Sequence, residues 1–265
     1  MAKAPGYKGM TSEEASIKKV SGHINEFDYA SLIGGEVNKG SQSKKTDVVD
    51  KRHGTHSVKS GKKWQIFLYG KSRFASDNVL KGVGRVSDLL IDCIDALPLD
   101  REERVRDSSS SKQAIQGPMQ ELALELANRN ILRAFLTLAA FDGGQVSYWA
   151  ILPPEIDQTT AAPESKKFHV FHKDDVIEVL MDRVEVVNSK ARNHTQRDNQ
   201  KVVFRTGKNL GEIEIRTDAQ NYRRAKLWFL ASEVLRVLGD DIPAVSTPSD
   251  RLTLYGKARS LSVAT

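Results

Sequence analysis

Between Thr46 and Tyr69 the chain reads TDVVDKRHGTHSVKSGKKWQIFLY, and this stretch limits the possible folds more than any other. Two β-branched runs, residues 46–50 and 55–60, flank Lys51-Arg52-His53-Gly54, a turn composition, so the spacing predicts a β-hairpin. Alternation along a strand puts Ser57 and Lys59 on one face and turns Val58 to the core on the other. Asp47 then lies beside Lys59, while Asp50, three residues further on, faces away. A carboxylate and a lysine on paired strands, inside a basic stretch, are the minimum that holds Mg2+ and a phosphate together.

Charge placement points the same way. The formal net charge is +6, yet residues 36–73 carry ten Lys and Arg against three Asp and Glu, and residues 183–226 carry eleven against five. The rest of the chain is net negative, so the positive charge sits in two segments, as a cleft for a polyanion requires. The basic loop SKARNHTQRDNQ in the second segment, with Arg192 and Arg197, is rich in side chains that read phosphates and base edges. Cys93 is the single cysteine, which excludes an internal disulfide framework and a cysteine-based zinc site and suits a reducing compartment. It lies in the apolar run LLIDCIDAL as a small buried hydrophobe. His169 and His172 fall on opposite faces of a strand and share no metal. With no apolar leader and no run of membrane-spanning length, the expected location is the cytoplasm.

The hairpin resembles the catalytic core of the PD-(D/E)xK nucleases, where an acid opens one strand and an acid-x-lysine tripeptide sits on the next. Asp47 matches the first acid and Lys59 the lysine, whereas Thr46 stands where proline is common and Ser57 where the second acid is usual. The longer string, KKTDVVD with HSVKSGKKWQIFLYGKSRF, is most similar to type II restriction endonucleases. The resemblance implies a mixed α/β fold, a restriction-endonuclease-like central sheet flanked by helices. It implies a Mg2+-dependent, sequence-specific endonuclease of double-stranded DNA, active as a twofold homodimer and paired functionally with a cognate DNA methyltransferase. Asp47, Ser57, Lys59, Glu26 and Gln65 would then form the catalytic set, and the metal ligands would be Asp47, the Val58 carbonyl and an acid recruited from Glu26 or Glu36. Lys62, Lys63, Arg73, Arg192, Arg197, Arg216 and Arg223 would contact DNA. Gln65 and Tyr69, one turn apart on an expected helix, resemble the Q-xxx-Y element of RecB-like nucleases, so a repair exonuclease is a second reading. A third is a DNA-binding protein whose nuclease site has lapsed, because a serine hydroxyl is a weak neutral ligand.

Along the chain, residues 1–20 read as a loose segment, residues 21–240 as a single nuclease domain with inserted helices and a β-rich, DNA-contacting C-terminal part, and residues 241–265 as a tail. Within the domain, Ser21 caps a helix that ends at Gly34-Gly35. Residues 62–74 read as a short helix, 78–97 as a longer one ended by Pro98, 99–113 as a loop, and 118–141 as one long apolar helix. Strands follow at QVSYWAIL, FHVFH, RVEVVN, KVVFRTG and LGEIEIR.

Overall fold

The computed structural model describes residues 24–38, 45–155, 165–193 and 196–261. The expected loose segment and the cap at Ser21 lie outside them. The protein is mixed α/β and divides into two compact units. Among the described residues, unit 1 takes in those up to Trp64, those of Phe141–Val179 and those from Val234 onward, and unit 2 takes in those of Gln65–Ala140 and Leu180–Glu233.

Unit 1 is built on helix α1 (residues 24–33) and a seven-stranded mixed sheet. The strand order is β1 (Glu36–Val37), β2 (Val48–Asp50), β3 (Gly54–Lys59), β5 (Tyr148–Ile151), β6 (Phe168–His172), β12 (Leu252–Tyr255) and β11 (Ala244–Ser249). β1, β2 and β3 form an antiparallel meander, β3 then pairs in parallel with β5, and β6 pairs in parallel with β12. The expected hairpin is present, with Val48 opposite His56 and Asp50 opposite Gly54. Gly54 takes φ +111°, a conformation that a side chain at Cβ disfavours, which is why the turn needs glycine there. Tyr29 and Ile33 of α1 pack on Val48, Tyr148, Ala150, Val170, Leu252 and Leu254, all buried, with Val58 joining from β3. Each large aliphatic side chain so covered contributes roughly 1.5–3 kcal/mol, and together they fix α1 over the hairpin.

Unit 2 holds a five-stranded sheet in the order β4 (Lys63–Tyr69), β10 (Ala225–Leu230), β9 (Asn209–Ile215), β8 (Val202–Arg205) and β7 (Glu185–Asn188), with β10, β9, β8 and β7 successively antiparallel. The sequence reading needs several corrections here. Residues 62–74 are not one helix: they form β4 followed by α2 (Lys71–Ala75). The helix expected over 78–97 is only α3 (Val86–Asp95), because Asn78, Gly82 and Gly84 all take positive φ and cannot continue a right-handed helix. The expected loop over 99–113 holds α4 (Arg101–Arg106) and α5 (Ser108–Ala114), capped by the Asp100 and Asp107 carboxylates, which accept from the backbone of Glu102 and Ser110. The long helix over 118–141 is broken at Asn128 into α6 (Gln116–Ala127) and α7 (Arg129–Phe141). Asn128 is extended (ψ 120°) and its side chain caps the second helix. Residues 241–265, read as a tail, contribute β11 and β12 to the sheet of unit 1.

Candidate active site

Asp47 immediately precedes β2, and its Oδ2 accepts two hydrogen bonds from β3: one from Ser57 Oγ (2.9 Å) and one from the Val58 backbone N–H (2.7 Å). Lys59 Nζ in turn donates to Ser57 Oγ at 2.6 Å. The fully buried Ser57 is thus a hydroxyl bridge between lysine and aspartate, giving its proton to one and a lone pair to the other. Two residues apart on β3, Ser57 and Lys59 share a face, as alternation requires. The Val58 N–H points at Asp47, so its carbonyl, which leaves the strand on the same side, points past the start of β2.

The electrostatics of the cluster centre on Lys59. Burial pulls its pKa below the ordinary lysine value, and the negative charges of Asp47 and Glu26 pull it back up. Glu26 sits half-buried on α1, one turn before Tyr29 and Ala30, whose side chains press on the sheet. Glu36 is exposed and pairs with Lys51 at 3.6 Å. Asp50 is buried and braces the hairpin turn, accepting from the Arg52 backbone (2.9 Å) and pairing with His53 Nδ1 (2.5 Å).

One residue of the cluster was missed. Lys45 is half-buried, and burial, with the Lys59 charge beside it, lowers its pKa to about 7 against the opposing pull of Asp142. The signal was available: Lys45 stands two before Asp47 in an extended run, so alternation puts both on one face.

The other expected site residues lie elsewhere. Lys62 and Lys63 are exposed at the start of β4, and Gln65 is exposed on β4 in unit 2. Gln65 and Tyr69 lie on a strand and not on a helix, and Tyr69 stacks on Phe67 at 4.9 Å. Three of the expected DNA-contacting arginines are held by carboxylates of unit 2. Arg73 donates to Asp77 (2.7 Å), Arg216 to Glu214 (2.7 Å) and Asp218 (2.9 Å), and Arg223 to Asp95 (2.6 Å). Arg192 and Arg197 line a cavity in unit 2.

Among the described residues no three His, Cys, Asp or Glu side chains gather closely enough to hold a metal by themselves. The local donors are nonetheless oxygens: Asp47 Oδ1, left over by the two bonds to Oδ2, and the Val58 carbonyl, with the charge of the Glu26 carboxylate acting on the neighbouring Lys59. Mg2+ is commonly held by one or two carboxylates, with water and substrate phosphate completing its six positions, so these residues suit it. Comparison with models of known protein families, with curated proteins and with solved structures finds no match to this chain.

Proposed function

We propose that this protein is a Mg2+-dependent endonuclease of double-stranded DNA, of the sequence-specific type that its hairpin resembles. The observation that carries the reading is the linked trio Asp47–Ser57–Lys59, with the Glu26 charge acting on Lys59. Glu26 is the recruited acid in this reading, because Glu36 is exposed on Lys51 and Asp50 is spent on the turn. Asp47, Glu26 and the Val58 carbonyl would hold the ion. When bound, Mg2+ neutralises charge on the phosphate and lowers the pKa of a coordinated water.

The protein side chains supply the rest. Asp47 is kept in place by two donors from β3, so its remaining oxygen is oriented before any ligand arrives. Lys59, fixed by the Ser57 hydroxyl, presents a cation to the charge that builds up on the phosphate in the transition state. In a buried setting that interaction is stronger than it is in water. The homodimer and the cognate methyltransferase belong to the same reading: a palindromic site offers two equivalent strands to a symmetric pair.

The test is incubation of circular plasmid with Mg2+ and with wild type, Asp47→Ala, Lys59→Ala and Glu26→Gln. Discrete fragments from the wild type only, with intact thermal transitions in all four, are expected. Degradation confined to linear ends indicates the exonuclease, and retarded but uncut DNA indicates a binding protein without nuclease activity. Full cleavage by Asp47→Ala rules out the assigned site.

A further inference from the structure

Unit 2 contains a cavity of about 550 Å3 lined from β7, β8, β9 and the flanking residues 189–192, Gln196, Arg197, Gln200 and Lys201. Seven Lys and Arg side chains line it against a single acid, Glu212. Two of the seven have structural duties. Lys201 donates to Glu212 (2.6 Å) and lies 3.2 Å from Glu214, and Arg205 makes a two-bond contact with Glu185 (2.8 and 3.1 Å). Others keep their charge for a ligand. Arg197 rests on the neutral hydroxyl of Ser109 (2.8 Å), and Lys190 lies 3.9 Å from Asp198 across an exposed gap, where an ion pair is worth little. Arg192, Lys208 and Lys112 complete the seven.

The rim that carries these cations is braced. Ser189 Oγ accepts from the backbone of Gln200 and Lys201, the Asp198 carboxylate accepts from Ala191, Gln196 Oε1 accepts from Arg192, and Gln200 Nε2 donates to the Lys112 carbonyl. A charged loop that only needs to be solvated has no use for so many bonds. Fixing it gives up chain entropy that a bound ligand would otherwise have to supply. A further polar atom is uncommitted: Asn209 Oδ1, on β9 in the cavity wall, is buried and has no hydrogen-bond partner, while its amide donates to Glu212 (2.7 Å).

We infer that this cavity grips a nucleic-acid strand, with Lys190, Arg192, Arg197 and Lys208 on successive phosphates and Asn209 Oδ1 accepting from a base or sugar donor. The volume exceeds what one inorganic phosphate fills, and cations spread along a rim match a ligand with repeated charges. The inference rests on the endonuclease reading for its choice of DNA, and it says where unit 2 holds the duplex.

The experiment is fluorescence anisotropy with a short labelled duplex in EDTA, which stops cleavage, over a range of salt. It compares wild type, Arg192→Ala/Lys208→Ala and Asp47→Ala. The double variant should lose about tenfold or more in affinity, and its plot of log affinity against log salt should flatten by roughly 0.9 for each phosphate contact removed. Asp47→Ala, which removes a negative charge and no cavity residue, should show no loss of affinity and no flattening of the slope. Unchanged affinity and slope in a double variant with a normal thermal transition overturn the inference. So does displacement of the duplex by inorganic pyrophosphate at equal phosphate concentration, which marks a small-anion site. If the double variant fails to fold, Lys190→Gln at its exposed position carries the same test. Cleavage that depends on Asp47, with binding indifferent to the cavity, defeats this inference alone. Duplex bound through the cavity by a protein that cuts nothing defeats the nuclease reading alone.

Discussion

Ser57 illustrates how one side chain sets the character of a site. A carboxylate at that position would face Asp47 across a single hydrogen bond, two like charges in a buried place. The hydroxyl instead links Lys59 to Asp47, so Ser57→Ala should leave the half-buried Lys59 ammonium without this acceptor. We expect kcat to fall by about tenfold or more with KM little changed, at a stability cost of roughly 1–3 kcal/mol, read from plasmid-cleavage kinetics and urea unfolding. Unaltered kcat would show that the bridge is incidental. His56, the next residue on β3, makes a separate prediction. It is fully buried, its Nδ1 meets the Tyr29 hydroxyl at 3.0 Å, and its ring stacks on Tyr148 at 4.7 Å. Burial lowers its pKa from 6.5 to about 4, helped by His53 and opposed by Asp50. Between those two values the unfolded chain holds the extra proton, so stability should fall as pH drops from about 6.5 to about 4, by up to about 3 kcal/mol. His56→Phe should flatten that fall in a pH series of urea titrations. An equal fall in the variant would assign it to other groups.

At the level of elements, α1 is the part that brings Glu26 to the sheet, and it is tied down by more than apolar packing. Arg52 of the hairpin turn donates to the Ile33 carbonyl at its end (3.1 Å), and the buried Lys166 donates to Asp28 (2.7 Å). Lys166→Met strands a carboxylate that is only 17% exposed, so a loss of about 3–5 kcal/mol is expected, with Lys166→Met/Asp28→Leu recovering much of it. Calorimetry of the two variants decides the point. In unit 2 the constraint is space: a Cβ at Gly211 on β9 would meet Phe229 Cδ1 and the Trp228 carbonyl, both at 2.3 Å. Gly211→Ala should therefore cost about 1–3 kcal/mol, read as a lowered thermal midpoint. The hairpin could be read from the sequence because β2 alternates, with Val48 and Asp50 buried about an exposed Val49, and because its turn needs glycine, so alternation and composition agree. β4 could not: Ile66 and Phe67 are both buried, which erases the period of two, and Trp64, Phe67 and Leu68 fall at helical spacing instead. The choice between Glu26 and Glu36 was likewise open in the sequence, since only the packing of Tyr29 and Ile33 shows that α1 lies over the β2–β3 hairpin.

For the whole molecule, the region that reads as a tail is structural. Pro243 and Pro248 suggest a chain that has stopped folding, yet β11 is an edge strand, where a missing N–H is tolerated. Inside it β12 pairs with β6, and Leu252 and Leu254 are fully buried. Removing residues 244–261 should expose the β6 edge and that apolar face, giving a protein that aggregates or loses cooperative unfolding. A soluble truncated chain with wild-type hydrogen-exchange protection in β5 and β6 would contradict this. The parallel pairings also order events in time. A ribosome delivers β2 and β3, with Asp47, Ser57 and Lys59, long before β5 and β6, and delivers β12 last of these. Strands that wait for distant partners are slow to settle, so the nascent chain carries these three side chains on an unfinished sheet. If the protein is the nuclease proposed above, this sequence of synthesis delays activity until nearly the whole described chain has been made.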